Sequence, residues 1–304
     1  MGVSAQVTVF EDNFDTYDDF VITGFGNWIT IDIDESGTYS GGQPEDADTW
    51  PNQFQPQAFQ IFNPTAASVE NATTGNELRN FDPKSGLKYA ASWAAVMPGD
   101  GEGGSGSGPN NDWLVSPVIN LQGATGASLS VWVKSMSSSF GLEKYKIGVY
   151  TGTGIPTGTS DFTIISGATA LTAPFPNWGE RTQSLAAYQG QSIRIGIQCV
   201  SVNAYMFMVD DFKVTAATMS VKDVLSSKFV VSPKPASEVI KISSKENILL
   251  NGITITDLNG RTVKQLTYDG ISNPEINIGD LSAGMYMMNI TSDQGSATKK
   301  IVKN

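Results

Sequence analysis

Apolar and polar residues alternate at every second position through most of this chain, while sustained helical periodicity is nowhere evident. Strand-like runs occur at Val7–Phe10, Trp28–Ile33, Trp113–Ile119, Ser128–Lys134, Lys144–Tyr150, Ser192–Val200 and Phe207–Val214, separated by Gly, Pro, Asn and Ser clusters. A strand of this kind has one apolar face to bury, so the runs must pair into sheets that stack, and the chain reads as all-β. Its 304 residues are 40% hydrophobic, enough for two separate cores.

The glycine-dense stretch Gly99–Pro109 reads as a flexible loop inside one domain, because the strands on both sides of it are needed to complete one pair of sheets. The boundary falls near Ala216–Ser227, where the pattern gives way to small and polar residues before a new alternation begins at Phe229. Residues 7–217 are therefore expected as one domain, 218–228 as a linker and 229–304 as a second domain. Residues 1–6 read as an initiator joined to the small-residue end of a removed leader. Within 229–304, six or seven short strands and an Asn259-Gly260 hairpin turn suit a small immunoglobulin-like sandwich.

Charge is segregated in the same way. Residues 1–218 hold 22 acids against 9 bases, and the remainder 8 against 10. A surface that acidic repels phosphates and anionic lipid, so neither a nucleic acid nor a membrane surface is the expected partner; cations are. Histidine is absent, which removes Ser-His-Asp and Cys-His catalysis and His-ligated zinc, iron or copper. The one cysteine, Cys199, shares a strand face with Ile193, Ile195 and Ile197 and is expected in the core, with no partner for a disulfide within the chain. No apolar run reaches the roughly 18 residues of a membrane-spanning helix.

In the C-terminal part, Phe229-Val230-Val231-Ser232-Pro233-Lys234-Pro235-Ala236-Ser237 is followed by Ile255-Thr256-Asp257-Leu258-Asn259-Gly260-Arg261, Leu281-Ser282-Ala283-Gly284-Met285-Tyr286 and Lys299-Lys300-Ile301-Val302-Lys303. These four motifs, in this order, resemble the C-terminal sorting domain of type IX secretion cargo; Lys234 stands where that family usually has Asn. The resemblance implies contact with the type IX machinery, export across the outer membrane and display at the cell surface. The tail lysines either contact a translocon or blunt a solvated edge strand.

In the N-terminal part, Asp12-Asn13-Phe14-Asp15, Trp28–Asp34, Asn111–Ile119, Ala127–Lys134, Leu185–Gln191 and Val209–Val214 together resemble the cleaved-adhesin, or choice-of-anchor J, family, related in fold to MAM domains. The resemblance implies a two-sheet jelly roll with adjacent first and last strands, and calcium sites. By position the metal ligands fall on Asp12, Asp32, Asp34, Asp112 and Asp210 or Asp211, with Glu11 and Asn13 as alternates. Independently, Asp32-Ile33-Asp34-Glu35-Ser36-Gly37 offers the alternating oxygen donors of a calcium loop without the full EF-hand pattern.

Of the six tryptophans, Trp113 and Trp132 sit in strand patterns and are expected in the core. Trp50 and Trp178 lie in Pro- and Asn-rich loops, as candidates for a ligand face or as loop anchors. The resemblance implies a non-catalytic function: an adhesin-like surface protein whose calcium-fixed loops meet a host protein, matrix protein or glycan. The alternatives are a glycan-active enzyme running on paired carboxylates, or a structural surface domain without a ligand.

Overall fold

The structure, a computed structural model, describes residues 6–39, 50–97, 106–219, 225–244 and 248–304. The first five residues of the expected leader remnant, residues 99–105 of the glycine-dense stretch and residues 220–224 of the expected linker lie outside the described residues. The chain divides into two compact units, Met1–Thr218 and Met219–Asn304.

The first unit is a jelly-roll sandwich of two antiparallel sheets. The hub of one sheet is the strand Met206–Ala216, which pairs along its length with Ser128–Ser135. On its other side it pairs with Tyr89–Met97 through Met206–Val209 and with Val7–Asp12 through Phe212–Ala216, so the first and last strands are adjacent. Gly179–Ser184 extends this sheet beyond Ser128–Ser135. The second sheet runs Lys144–Tyr150, Ser192–Cys199, Asp112–Val115, Ile29–Asp32 in spatial order. Trp113–Ile119, expected as one strand, is two, Asp112–Val115 and Ile119–Asn120, because Pro117 has no N–H for a ladder.

Alternation explains the core. Leu129, Val131 and Val133 from one sheet and Ile193, Ile195 and Ile197 from the other are all buried, as is Cys199. Tyr145 stacks on Phe207 with ring centroids 5.1 Å apart, joining the two sheets. Near the start of Met206–Ala216 both faces are covered: Phe207 contacts Tyr145, while Met206 and Met208 belong to a second cluster with Trp50, Phe62, Tyr89 and Trp93. Double burial erases the alternation. It also accounts for the unanticipated strand Tyr89–Met97, whose buried Ala90, Ala91, Ala94 and Ala95 carry little strand propensity but fit between layers.

The second unit packs a three-stranded sheet, Phe229–Ser232, Val239–Ser244 and Glu275–Asn277, with a four-stranded sheet, Thr262–Ile271, Leu250–Thr256, Gly284–Ser292 and Gly295–Lys303. Ile240, Ile242, Ile253, Ile255, Met288 and Ile290 fill its core. Gly260, at φ +81°, turns the hairpin between Leu250–Thr256 and Thr262–Ile271, and the Asp257 carboxylate accepts from the Asn259 and Arg261 N–H groups across it. The lysine-rich tail is the edge strand Gly295–Lys303.

One buried acid sets a pH response of the first unit. Glu143 accepts from the Tyr205 N–H at 2.9 Å and from the Ser201 hydroxyl, tying the segment before Lys144–Tyr150 to the one after Ser192–Cys199. Burial outweighs these bonds and pushes its carboxyl up to about 7. A folded-state value above the unfolded one means that the neutral acid stabilises the fold fully below about pH 4.5 and that this is lost as pH rises through about 7. The melting temperature of the first unit should therefore fall between pH 5 and 8, and Glu143→Gln should reduce that slope without abolishing it, because burial pushes the Asp210 carboxyl up to about 7 as well; an unchanged slope in the variant would assign it elsewhere.

Candidate metal centre

Asp32 and Asp112 face each other directly across the pairing of Ile29–Asp32 with Asp112–Val115. Like charges opposed in this way destabilise a sheet. Alternation puts Asp112 on the same strand face as the buried Leu114, so its carboxylate turns to the interior at one end of the sandwich. Asp34 completes the group: its Oδ1 accepts the Ser36 N–H at 3.0 Å and its Oδ2 the Asn111 N–H at 2.6 Å, folding the turn after Ile29–Asp32 against the segment that enters Asp112–Val115. Asp32 Oδ1 accepts the Glu35 N–H at 2.8 Å. One carboxylate oxygen from each of Asp32, Asp34 and Asp112 lies within 4.8 Å of the other two.

The two oxygens of Asp112 differ. Oδ2 accepts from Asn110 Nδ2 at 2.7 Å and Ser92 Oγ at 3.0 Å, while Oδ1 is buried and has no hydrogen-bond partner. Burial, followed by the charges of Asp34 and Asp32, pushes the Asp112 carboxyl well above the ordinary range; burial also raises that of Asp32. Three carboxylates in mutual repulsion, one of them with an orphaned buried oxygen, form a hard, oxygen-only donor set. Around it, Asn111 Oδ1 accepts from Gln198 Nε2 at 2.7 Å and from Thr159 Oγ1 at 3.4 Å, linking the group to the turn Thr159–Asp161.

The other expected ligands are not in this group. Strand adjacency does bring Asp12 beside Phe212, but its carboxylate is already occupied: Oδ1 takes the Phe14 N–H at 2.8 Å, and Oδ2 takes the Tyr17 hydroxyl at 2.5 Å and Trp28 Nε1 at 2.8 Å. Asp210 accepts the N–H groups of Lys84, Ser85 and Asp211 at 2.9, 3.2 and 2.7 Å, with burial pushing its carboxyl up to about 7. Asp211, at φ +45°, accepts Ser85 Oγ at 2.6 Å. These two acids clamp the 84–85 loop. Of the alternates, Glu11 pairs with Lys213 and Asn13 donates to Asp15.

The two loop tryptophans are both held by packing within the first unit. Trp50 is buried between Phe20 and Trp93. Trp178 is half-buried, donating Nε1 to the Asp82 carbonyl at 3.0 Å with the Lys134 ammonium 5.0 Å above its ring; it anchors a loop. Trp113 is buried as expected, stacked on Phe162 at 4.0 Å over Gly196 and Gly148, where a Cβ at Gly196 would meet the indole at 2.7 Å. Trp132 is not in the core: it is half-buried and lines a surface cavity. The signal was present, since Trp132 is in phase with Ser128 and Ser130 while Leu129, Val131 and Val133 take the core phase. The sequence reading also missed Ser92 and Asn110, which hold Asp112.

A family profile described as the secretion system C-terminal sorting domain matches residues 230–304. That module directs the chain to the type IX secretion machinery and to the cell surface. No helix among the described residues is long and apolar enough to cross a membrane. Among solved structures, the K1 cleaved adhesin domain of Lys-gingipain from Porphyromonas gingivalis is 17% identical at a TM-score of 0.40, covering 68% of this chain and 97% of that one. The K2 cleaved adhesin domain of Lys-gingipain is 15% identical at a TM-score of 0.42, covering 67% and 98%. A CBM22-1 xylan-binding domain from Paenibacillus barcinonensis is 9% identical at 0.38, covering 72% and 100%. No curated protein matches the chain.

The different duties of the acids can be separated by stability. Asp12→Ala strands the Tyr17 hydroxyl, Trp28 Nε1 and Phe14 N–H, and should cost about 2–3 kcal/mol in denaturant unfolding whether calcium or chelator is present. A cost confined to calcium would return Asp12 to the metal ligands.

Proposed function

We propose that the first unit is a non-catalytic, adhesin-like binding module, carried to the cell surface by the sorting domain, and that a calcium ion held by Asp32, Asp34 and Asp112 fixes the loops at one end of its sandwich. The observation that carries this reading is the buried, unpartnered Asp112 Oδ1 among three converging carboxylates. Calcium takes six to eight oxygen ligands and favours carboxylates, which this cluster supplies without any nitrogen or sulfur. Bound there, it would replace mutual repulsion by attraction and cross-link the Asp34–Ser36 turn to the Asn110–Asp112 segment. Rigid loops bind at a lower entropic cost, which suits presentation of a surface to a host protein, a matrix protein or a glycan. Three of the acids elsewhere are already engaged, Asp12 and Asp210 by donors and Glu11 by Lys213, which favours binding over glycoside hydrolysis at those residues.

The test is thermal unfolding of the full chain in excess calcium and in excess chelator. Calcium at about 100 times its dissociation constant should stabilise the first unit by about 2.7 kcal/mol, a rise of roughly 5–10 °C. Asp32→Asn, which still accepts the Glu35 N–H but removes one repelling charge, should melt higher than the parent chain in chelator and lose the calcium response. Superimposable melts of the parent chain in the two conditions would sink the calcium centre.

A further inference from the structure

The solvent face of the first sheet carries a cavity of about 720 Å³ with one tryptophan in its wall. Cross-strand register builds the wall row by row. One row runs Thr182, Ser130, Lys213, Glu11 across four strands, and the next sets Glu180 beside Trp132. The bulge at Asp211 interrupts the pairing of Ser128–Ser135 with Met206–Ala216 beside Trp132 and delivers Asp211 to the same cavity. Trp132 is half-buried on the solvent-facing phase of its strand. The neighbouring positions in phase with it are the hydroxyl residues Ser128 and Ser130, and the apolar positions of that strand face the core. A large aromatic on the wet side of a sheet, inside a cavity of ligand-site size, is a recognition feature more than a packing one.

The polar groups around the ring define what fits. Glu180 accepts the Ser130 hydroxyl at 2.5 Å, and Glu11 is neutralised by Lys213 at 2.9 Å. The Lys84 ammonium stands 4.2 Å from the centre of the Trp132 ring, on the loop that Asp210 and Asp211 clamp. The excess of carboxylates repels an acidic ligand. Lys84 and Lys213 already supply positive charge at the ring and beside Glu11, so a cationic ligand would meet like charge there. An uncharged ligand with many hydroxyls and a flat C–H face satisfies both conditions: it stacks on the indole and shares hydrogen bonds with acids that already accept from hydroxyls and amines.

We infer that the Trp132 cavity is a binding site for an uncharged saccharide. Trp132 is the platform, and Glu180 and Ser130 are the hydrogen-bonding edge. The inference rests on the reading of the first unit as a binding module and names the ligand class of that module; the cavity lies on different residues from the Asp32–Asp34–Asp112 centre.

The experiment is affinity electrophoresis of the full chain, in calcium, through gels containing neutral polysaccharides (β-1,4-xylan, mixed-linkage β-glucan, yeast mannan) or acidic ones (polygalacturonate, hyaluronan), with an oligolysine peptide as a separate solution probe. At least one neutral polymer should retard the chain and the acidic ones should not. Trp132→Ala should weaken that retardation by about tenfold or more, the scale of losing a central aromatic anchor. Trp132→Phe should keep part of it, and Glu180→Gln should reduce it. Each variant should melt with the same calcium response as the parent chain, so a binding failure in a chain that still responds to calcium overturns the cavity assignment and leaves the metal centre standing. The proposal falls if no neutral polymer retards the chain, or if retardation is the same after Trp132→Ala. Trp132-dependent binding of oligolysine without polysaccharide binding would replace the saccharide by a basic peptide and overturn it equally.

Discussion

The antiparallel pairing of Val7–Asp12 with the last half of Met206–Ala216 holds the two ends of a chain segment more than 200 residues long on neighbouring strands. Pairing at that sequence separation carries a large closure entropy and has to be supported by what it buries. Here it brings Phe10 against Phe212 at 5.9 Å and Trp28 against Phe212 at 5.2 Å, and it completes a sheet whose inner face is the core and whose outer face is partly a second core. The Asp211 bulge, the clamped loop at Lys84 and Ser85 and the wall of the Trp132 cavity all follow from where this strand pair ends.

Burying acid is the second constraint, and the first unit meets it in two ways. In one, the carboxylate collects N–H and O–H donors: Asp12, Asp210 and Glu77 each do so, Glu77 from Ser137, Ser138 and Ser139. At Glu77 burial acts to raise the carboxyl, but these bonds prevail and draw it down to about 2. In the other, at Asp32, Asp34 and Asp112, carboxylates meet carboxylates and a buried oxygen is left without a donor. Donors satisfy an acid from within the chain, whereas the orphaned oxygen beside two further acids is what the proposed calcium would satisfy. Residue type is the same in both settings, and the neighbours decide.

The second unit has its own core and its own sheets, and its profile match makes it an address rather than a working site. Export is thereby carried by the second unit, and binding, as proposed, by the first. The sorting module places the first unit at the cell surface, outside the cell. The calcium reading and the saccharide reading of the first unit are independent of each other and share only that setting.

Much of this was legible in the residue order. Period-two alternation announced an all-β chain; Asn259-Gly260 announced its hairpin; the terminal motifs announced the sorting domain; and Asp32-x-Asp34 offered its oxygen donors, Asp112 being joined to them only by the family resemblance. These are local signals, set by backbone geometry within a few residues. What the order of residues could not decide was occupancy. Asp12 and Asp210 look like Asp112 along the chain, and only the fold shows that Trp28, Tyr17, Lys84 and Ser85 bring donors to the first two while Asp32 and Asp34 bring charge to the third. Trp50 sits in a polar loop yet is buried, because that loop covers the outer face of a sheet, and Trp132 sits in a strand yet meets solvent, because its phase along the strand points outward. Sequence determined most strands, the turn and the address; tertiary structure decided which acids gather beside one another and which aromatics face water, because both depend on neighbours tens to hundreds of residues away.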